Sequence, residues 1–233
     1  MDEDRSKKMK SIRNDFSIRS DDYDREIVIT VPNYHQMLDS AVGSLPFDDD
    51  EPIRVIDLGT GTGSMAARVL LRFPRCRLTC VDMTREMLDK AKARLGDRSD
   101  VTYVERDFYE LEMSEGNDAV VSSLALHHLI TDDDKRNFYG KVLRSLHPGG
   151  VFVNADAVHS TDGWVEDLYR RRWIEFMRSN LSEGAVQTVL ERHKREDSLP
   201  VLMDQLRWLN EVGFSKVDII WKDHMGAVVW AMR

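Results

Sequence analysis

From Ile53 onward, short β-branched runs alternate with longer segments in which apolar residues recur every three or four positions. The runs at 53–57, 77–81, 101–105, 118–122 and 150–155 read as buried strands, and the segments at 62–73, 84–95 and 132–146 as the helices between them. Such alternation is the signature of parallel βαβ units. In the second helix Thr84 is the expected N-cap, Met87, Leu88, Ala91 and Leu95 share one face, and Gly96 ends the segment. Asp132–Asp134 place acid at the start of the third, and Pro148-Gly149-Gly150 predict its sharp stop. Beyond the fifth strand the alternation lapses. Residues 160–196 read as helical and rich in arginine and aromatics, 199–211 as a further helix, and 215–221 and 225–232 as closing strands with a turn at Asp223-His224. Upstream, the first fifteen residues read as charged and loose, and 22–44 as helical with a break at Pro32. The prediction is an α/β fold: a doubly wound, Rossmann-like sheet of seven strands over 51–233, a helical segment over 1–50 acting as a cap, and a helical lid insert at 160–196.

At 233 residues the chain suits one α/β core with added segments. A formal net charge of −8 argues against general affinity for nucleic-acid backbones, which rests on Lys and Arg neutralising phosphates. No apolar run reaches about 18 residues, so no membrane helix is expected. The opening MDEDRSKKMK lacks the apolar centre of a secretory signal, and a cytoplasmic location is expected. Cys76 and Cys80, with no third cysteine to complete a ligand set, read as a reduced pair.

The chemistry-bearing stretch is Val55-Ile56-Asp57-Leu58-Gly59-Thr60-Gly61-Thr62-Gly63, an apolar run that ends in three alternate glycines before a helix. Glycines there permit a tight turn and keep Cβ atoms away from a ligand. A Walker loop needs Gly-Lys-Ser/Thr, and the dinucleotide fingerprint needs glycine at the position of Ser64, so both fail. Asp82 ends the second strand, where a carboxylate can hold ribose hydroxyls, with Met83 beside it. Asp107 and Phe108 follow the third strand and suit an adenine amino group and its flat face. Asp57 separates the candidate ligands: it would repel a pyrophosphate and attract an amino group or a sulfonium.

With VIDLGTGTG, CVDMT, ERDF, DAVVSSLALHHL and LHPGG in this order, the chain resembles the class I S-adenosylmethionine (SAM)-dependent methyltransferases over 50–158, and more weakly in VGFSKVDII and the final strand. The resemblance implies an antiparallel last strand, SAM as cofactor and S-adenosylhomocysteine as product. Carried over position by position, Gly59, Thr60, Gly61 and Gly63 pack on the methionine part, Asp82 with Met83 holds the ribose, Asp107 and Phe108 hold the adenine, and Ser123 lines the methyl-transfer mouth. Within that family the chain resembles the carboxy-SAM synthases and related small-molecule methyltransferases. Val31-Pro32-Asn33-Tyr34 is similar to their segment in which a tyrosine reaches the SAM carboxylate, which makes Tyr34 a cofactor candidate. The synthases' arginine for the extra carboxyl group falls here on Trp208, with Arg207 one place and about 100° away on a helix. An ordinary methyl donor is therefore expected.

His127 and His128 follow the fourth strand, and Asp156 and His159 the fifth, all at the edge where the methyl group is expected. His127 or His128 steadied by Asp156 is the candidate general base; the plainer reading is that His-His-Leu packs and caps the next helix. No metal is expected, since the spacing of His128, Asp156 and His159 specifies none. Tyr169, Trp173 and Phe176 share a helix face in the insert, with Trp164 nearby, as a lid or simply a packed side. Arg170, Arg171, Arg172, Arg178 and the run 192–195 read as solvated basic faces. The expected partner is a small-molecule substrate, with nucleic acid and membrane disfavoured and a homodimer allowed. The competing functions are a carboxy-SAM synthase-like enzyme of tRNA wobble-uridine modification, a non-catalytic SAM-binding protein and, last, an NAD-linked oxidoreductase.

Overall fold

The structure is a computed structural model that describes residues 2–233, with side chains from Arg5 onward. Strands β1 (Arg54–Leu58), β2 (Arg77–Asp82), β3 (Val101–Glu105), β4 (Asn117–Ser123), β5 (Leu146–Ala157), β6 (Lys216–Asp223) and β7 (Gly226–Met232) form one sheet in the order β3-β2-β1-β4-β5-β7-β6. β7 inserts antiparallel between β5 and β6 while the others run parallel, as the resemblance implied.

Successive strand residues point to opposite faces, so both faces of this apolar sheet need cover. Val121 and Val153 face one core, together with α3 (Tyr34–Gly43), α4 (Ser64–Arg72) and Leu88 of α5 (Arg85–Leu95). Their neighbours Val120 and Phe152 face the other, with Phe138 and Tyr139 of α6 (Asp132–Ser145) and Trp208 and Leu209 of α9 (Leu202–Val212). Each such side chain contributes about 1.5–3 kcal/mol on burial, which holds the sheet edge rigid enough to carry a site. No described helix is long and apolar enough to cross a membrane.

Four local expectations are corrected. The N-terminal residues are not loose: Asp2–Arg19 form α1, with Met9 and Ile12 buried against the body. Polar ties add to this, with Lys8 Nζ donating to Ser198 Oγ (3.2 Å) and the Arg5 guanidinium over the Tyr109 ring (4.6 Å). Thr84 does hold the N-cap position of α5, but its hydroxyl donates to Asp82 Oδ1 (2.8 Å) and leaves the helix without a side-chain cap. Helix α6 stops at Ser145, before Pro148, because Leu146 already pairs with Asn117 of β4. The last turn is His224-Met225, since Asp223 still pairs with Gly226, and His224 adopts φ +47°. The break at Pro32 holds, between α2 (Tyr23–Thr30) and α3, and the insert is a helix pair, α7 (Gly163–Arg178) and α8 (Glu183–Glu196).

Candidate active site

The chain passes from β1 to β2 on one side of the sheet and returns to β4 on the other. The crevice outside the carboxyl ends of β1 and β4 is therefore the topological switch point, the usual ligand position in such sheets. Two loops form its walls: Gly59–Gly63 after β1, and Leu124–His128 after β4.

Gly59, Gly61 and Gly63 all take positive φ (+68°, +54° and +85°). The loop is pinned to β2, with the Thr60 N–H donating to the Val81 carbonyl (2.9 Å) and the Gly61 N–H to Asp82 Oδ2 (2.8 Å). Asp82 also accepts from the Thr84 N–H (2.9 Å) and hydroxyl, so its carboxylate is fixed in direction although burial raises its pKa. Asp57 is fully buried and neither carboxylate oxygen has a hydrogen-bond partner. Burial pushes its carboxyl up to about 7, with the nearby Thr60 hydroxyl opposing and Asp82 adding to the rise. The Thr60 hydroxyl itself donates to the Asp57 main-chain carbonyl (3.0 Å). Asp107 lies at the edge, its Oδ1 accepting from the Tyr109 N–H (2.9 Å).

Two adjoining cavities occupy the crevice. The smaller, about 50 Å³, is lined by Gly59, Gly61, Asp82, Met83, Phe108 and Ser123, with Met9 and Phe16 of α1 closing it from outside. Of the other cofactor candidates, Asp57, Thr60, Gly63 and Asp107 stand behind or beside this wall. Tyr34 is buried in α3, with its hydroxyl near Ser64, and lines neither cavity; the tyrosine that lines both is Tyr23. The larger cavity, about 290 Å³, lies between the α1–α2 segment and the α7–α8 insert. Tyr169, Trp173 and Phe176 face it, and the Trp173 indole donates to the Thr30 carbonyl (2.7 Å), tying the insert to α2. Arg172, itself exposed, and Arg192 and His193 of the expected solvated faces also line it, whereas Arg170, Arg171 and Arg178 are exposed and do not.

Leu124, His128, Phe16 and Tyr23 line both cavities. The histidine pair sits in a 3-10 turn, Leu126–His128, just past β4. Asp156, at the end of β5, steadies His127: Nδ1 to Oδ1 is 2.5 Å, and the His127 N–H donates to Oδ2 (3.2 Å). Asp197, just past α8, joins them with no sequence motif to mark it. Its Oδ1 stands 3.6 Å from His127 Nε2 and 3.7 Å from His128 Nδ1, and its Oδ2 meets His193 Nδ1 at 2.6 Å. Burial opposes charge on His127, but Asp156 and Asp197 outweigh it and lift the imidazole to about 9. Burial and the charge on His127 press His128 down to about 4. The Asp197 carboxyl is held below the ordinary range, because the three histidines outweigh its burial. His159 takes no part, since its Nδ1 is paired with Glu166 (2.7 Å).

Residues 55–150 match the family described as a methyltransferase domain. The carboxy-S-adenosyl-L-methionine synthase of Aeromonas hydrophila subsp. hydrophila is 29% identical over 200 residues, covering 82% of this chain and 78% of its own. An uncharacterised methyltransferase of Bacillus cereus is 35% identical over 148 residues, 60% of this chain and 68% of that one. Among solved structures, the DhpI-SAM-HEP complex shares the fold with a TM-score of 0.65 at 20% identity, covering 97% of each chain. The chain thus belongs to the SAM-dependent methyltransferases.

Proposed function

We propose that this enzyme methylates a small molecule held between the α1–α2 cap and the α7–α8 lid, with its nucleophile presented at His128. The carrying observation is that His128 lines both cavities, so a group beside it faces the cofactor cleft on one side and the larger cavity on the other. SAM bound in the smaller cleft supplies an electrophilic methyl group on a positively charged sulfur. The cleft residues suit such a ligand. Asp57, behind the cleft wall, is a buried carboxylate without a hydrogen-bond partner, Asp82 keeps one lone pair for a ribose hydroxyl beyond the three bonds it accepts, and Phe108 offers an aromatic face beside Asp107. Cofactor pockets usually measure about 300–1,000 Å³, so a volume of about 50 Å³ requires Met9 and Phe16 to move aside with α1. The same motion would exclude water once both ligands are in place.

The lone pair available to an acceptor is His128 Nδ1, which is buried and without a partner. His127 is committed to Asp156 and Asp197. It orients the cluster and is not the free base. Arg207 pairs with Asp204 (2.8 Å) and Glu211 (3.5 Å) while Trp208 is buried, which supports an ordinary methyl donor over a carboxymethyl one. The buried free thiols Cys76 and Cys80 suit a reducing compartment such as the cytoplasm.

Titration calorimetry with SAM, S-adenosylhomocysteine and NAD tests the cofactor reading, and the expected result is binding of the first two only. Asp82→Ala should weaken SAM at least about tenfold, by loss of charge-assisted hydrogen bonds; unchanged affinity would show that the ribose is held elsewhere. Labelled SAM incubated with pools of small metabolites should yield one methylated product. On the acceptor so identified, His128→Ala should lower turnover about 10²–10⁴-fold with SAM affinity intact. Full turnover in the variant would remove His128 from the chemistry.

A further inference from the structure

We propose that His127 Nε2, His128 Nδ1 and Asp197 Oδ1 form a binding site for a divalent transition-metal cation of the Zn²⁺ type, with an open position toward the acceptor cavity. This rests on the reading of the larger cavity as the acceptor's place and deepens it: with the cation held, His128 Nδ1 is its ligand, and the cation in place of the imidazole lone pair meets the acceptor.

The spacing is the first ground. The carboxylate oxygen stands 3.6 Å from one imidazole nitrogen and 3.7 Å from the other, and all three atoms lie within 4.8 Å of one another. A direct hydrogen bond would draw a pair to about 2.7–3.2 Å. A water accepting or donating at about 2.8 Å to each would hold them about 4.4 Å apart. Two ligands about 2.1 Å from a shared cation, at 109–120°, are separated by about 3.4–3.6 Å. The two oxygen-to-nitrogen gaps match the third case.

The second ground is His128. It is only 8% exposed, and its Nδ1 has no hydrogen-bond partner although it faces Asp197. A buried acceptor left unmatched costs about 1–3 kcal/mol and calls for an explanation. Coordination supplies one.

The surroundings are those that orient metal ligands. The His127 Nδ1–H donates to Asp156, which itself accepts from the Ala157 N–H (2.8 Å), so Nε2 is the nitrogen turned to the centre, where the cation takes the place of the proton that Nε2 otherwise presents to Asp197. The second oxygen of Asp197 is held by His193 at 2.6 Å, leaving Oδ1 for the cation. Two imidazoles and one carboxylate, without thiolate, select a first-row divalent ion over Ca²⁺ or Mg²⁺. Three protein ligands leave a position free, and the cavity on that side offers room for an oxygen of the acceptor. The acceptor class that follows is a small molecule bearing a hydroxyl or carboxylate oxygen.

The test is titration of the full chain, dialysed against a chelator, with Co²⁺ alone, followed by visible absorption and calorimetry. One equivalent should bind with the spectrum of a nitrogen- and oxygen-ligated ion. His128→Gln and Asp197→Asn should each weaken it about 100-fold, while His147→Gln, on the surface far from the site, should change nothing. Circular dichroism melts check that the variants are folded. Failure of the wild-type chain to bind Co²⁺ overturns the proposal whatever the variants do, and so does equal binding by wild type and both folded variants. SAM is titrated into the same samples. SAM binding without Co²⁺ binding removes the metal and leaves the cofactor reading, whereas Co²⁺ binding with no SAM binding does the reverse.

Discussion

Asp57→Asn should weaken SAM binding about 30- to 100-fold near pH 7.5 while making the ligand-free protein more stable there. Both halves follow from one burial. The Asp57 carboxyl has no hydrogen-bond partner and is pushed up to about 7, against about 3.9 in an unfolded chain. Between roughly pH 4 and 7 the folded state therefore holds a proton that the unfolded state has lost. Stability then falls as pH rises through that window, by about 4 kcal/mol at its end. Asparagine cannot ionise and removes the slope, so its thermal midpoint should exceed that of the wild type above pH 7 and approach it near pH 4. A cationic ligand acts in the opposite sense. The ionised carboxylate attracts a sulfonium or ammonium, so wild-type affinity for SAM should climb from about pH 5.5 to 7.5, and binding should release protons below pH 7. Loss of one charged contact, about 2–3 kcal/mol, sets the fold-change. Calorimetry in buffers of different ionisation enthalpy reads the proton release directly. An affinity that is flat with pH, or an asparagine variant that binds SAM as well as wild type, would mean Asp57 serves only the fold.

The sheet was legible because its strands are β-branched runs at regular spacing, and the acidic edge of the crevice because carboxylates fall at the ends of three successive strands. What stayed hidden lies in long-range partners. Asp197 reaches His127 across 70 residues of chain with no motif to mark it, and only the α7–α8 pair, folding back over the sheet, brings it there. Helix α1 was obscured by its charge, yet Met9, Ile12 and Phe16 recur at three- and four-residue spacing, a faint apolar stripe that the surrounding Lys, Arg and Asp masked. Thr84 has the composition of a helix cap, but a hydroxyl two residues from a buried carboxylate bonds to it in preference to exposed amides. Asp156 pairs with His127 and not with the histidine that borders both cavities.

Gly59→Ala should be the most disruptive single methyl group in the molecule, because it strikes both walls of the crevice at once. Gly59 sits at φ +68°, where a side chain costs roughly 1–2 kcal/mol. The added Cβ would also lie 2.2 Å from the Ala125 Cβ and 3.5 Å from the Phe108 ring. No side-chain rotation relieves a contact between two Cβ atoms, so the backbone at Ala125 must shift, at about 1–3 kcal/mol for overpacking. That backbone runs directly into His127 and His128, whose positions depend on Asp156 and Asp197. The expected outcome is a loss of about 2–5 kcal/mol of stability, a thermal midpoint lower by roughly 5–15 °C, and SAM affinity reduced at least about 100-fold. The two contributions can be separated. Ala125→Gly removes the atom that Gly59→Ala collides with and leaves the backbone strain in place. The double variant should therefore recover the larger part of SAM affinity and about half of the lost stability, giving a coupling of about 1–3 kcal/mol in a double-mutant cycle. Simple additivity of the two substitutions would show that the loops after β1 and β4 are not packed wall to wall, and that the crevice is wider in solution than these contacts require.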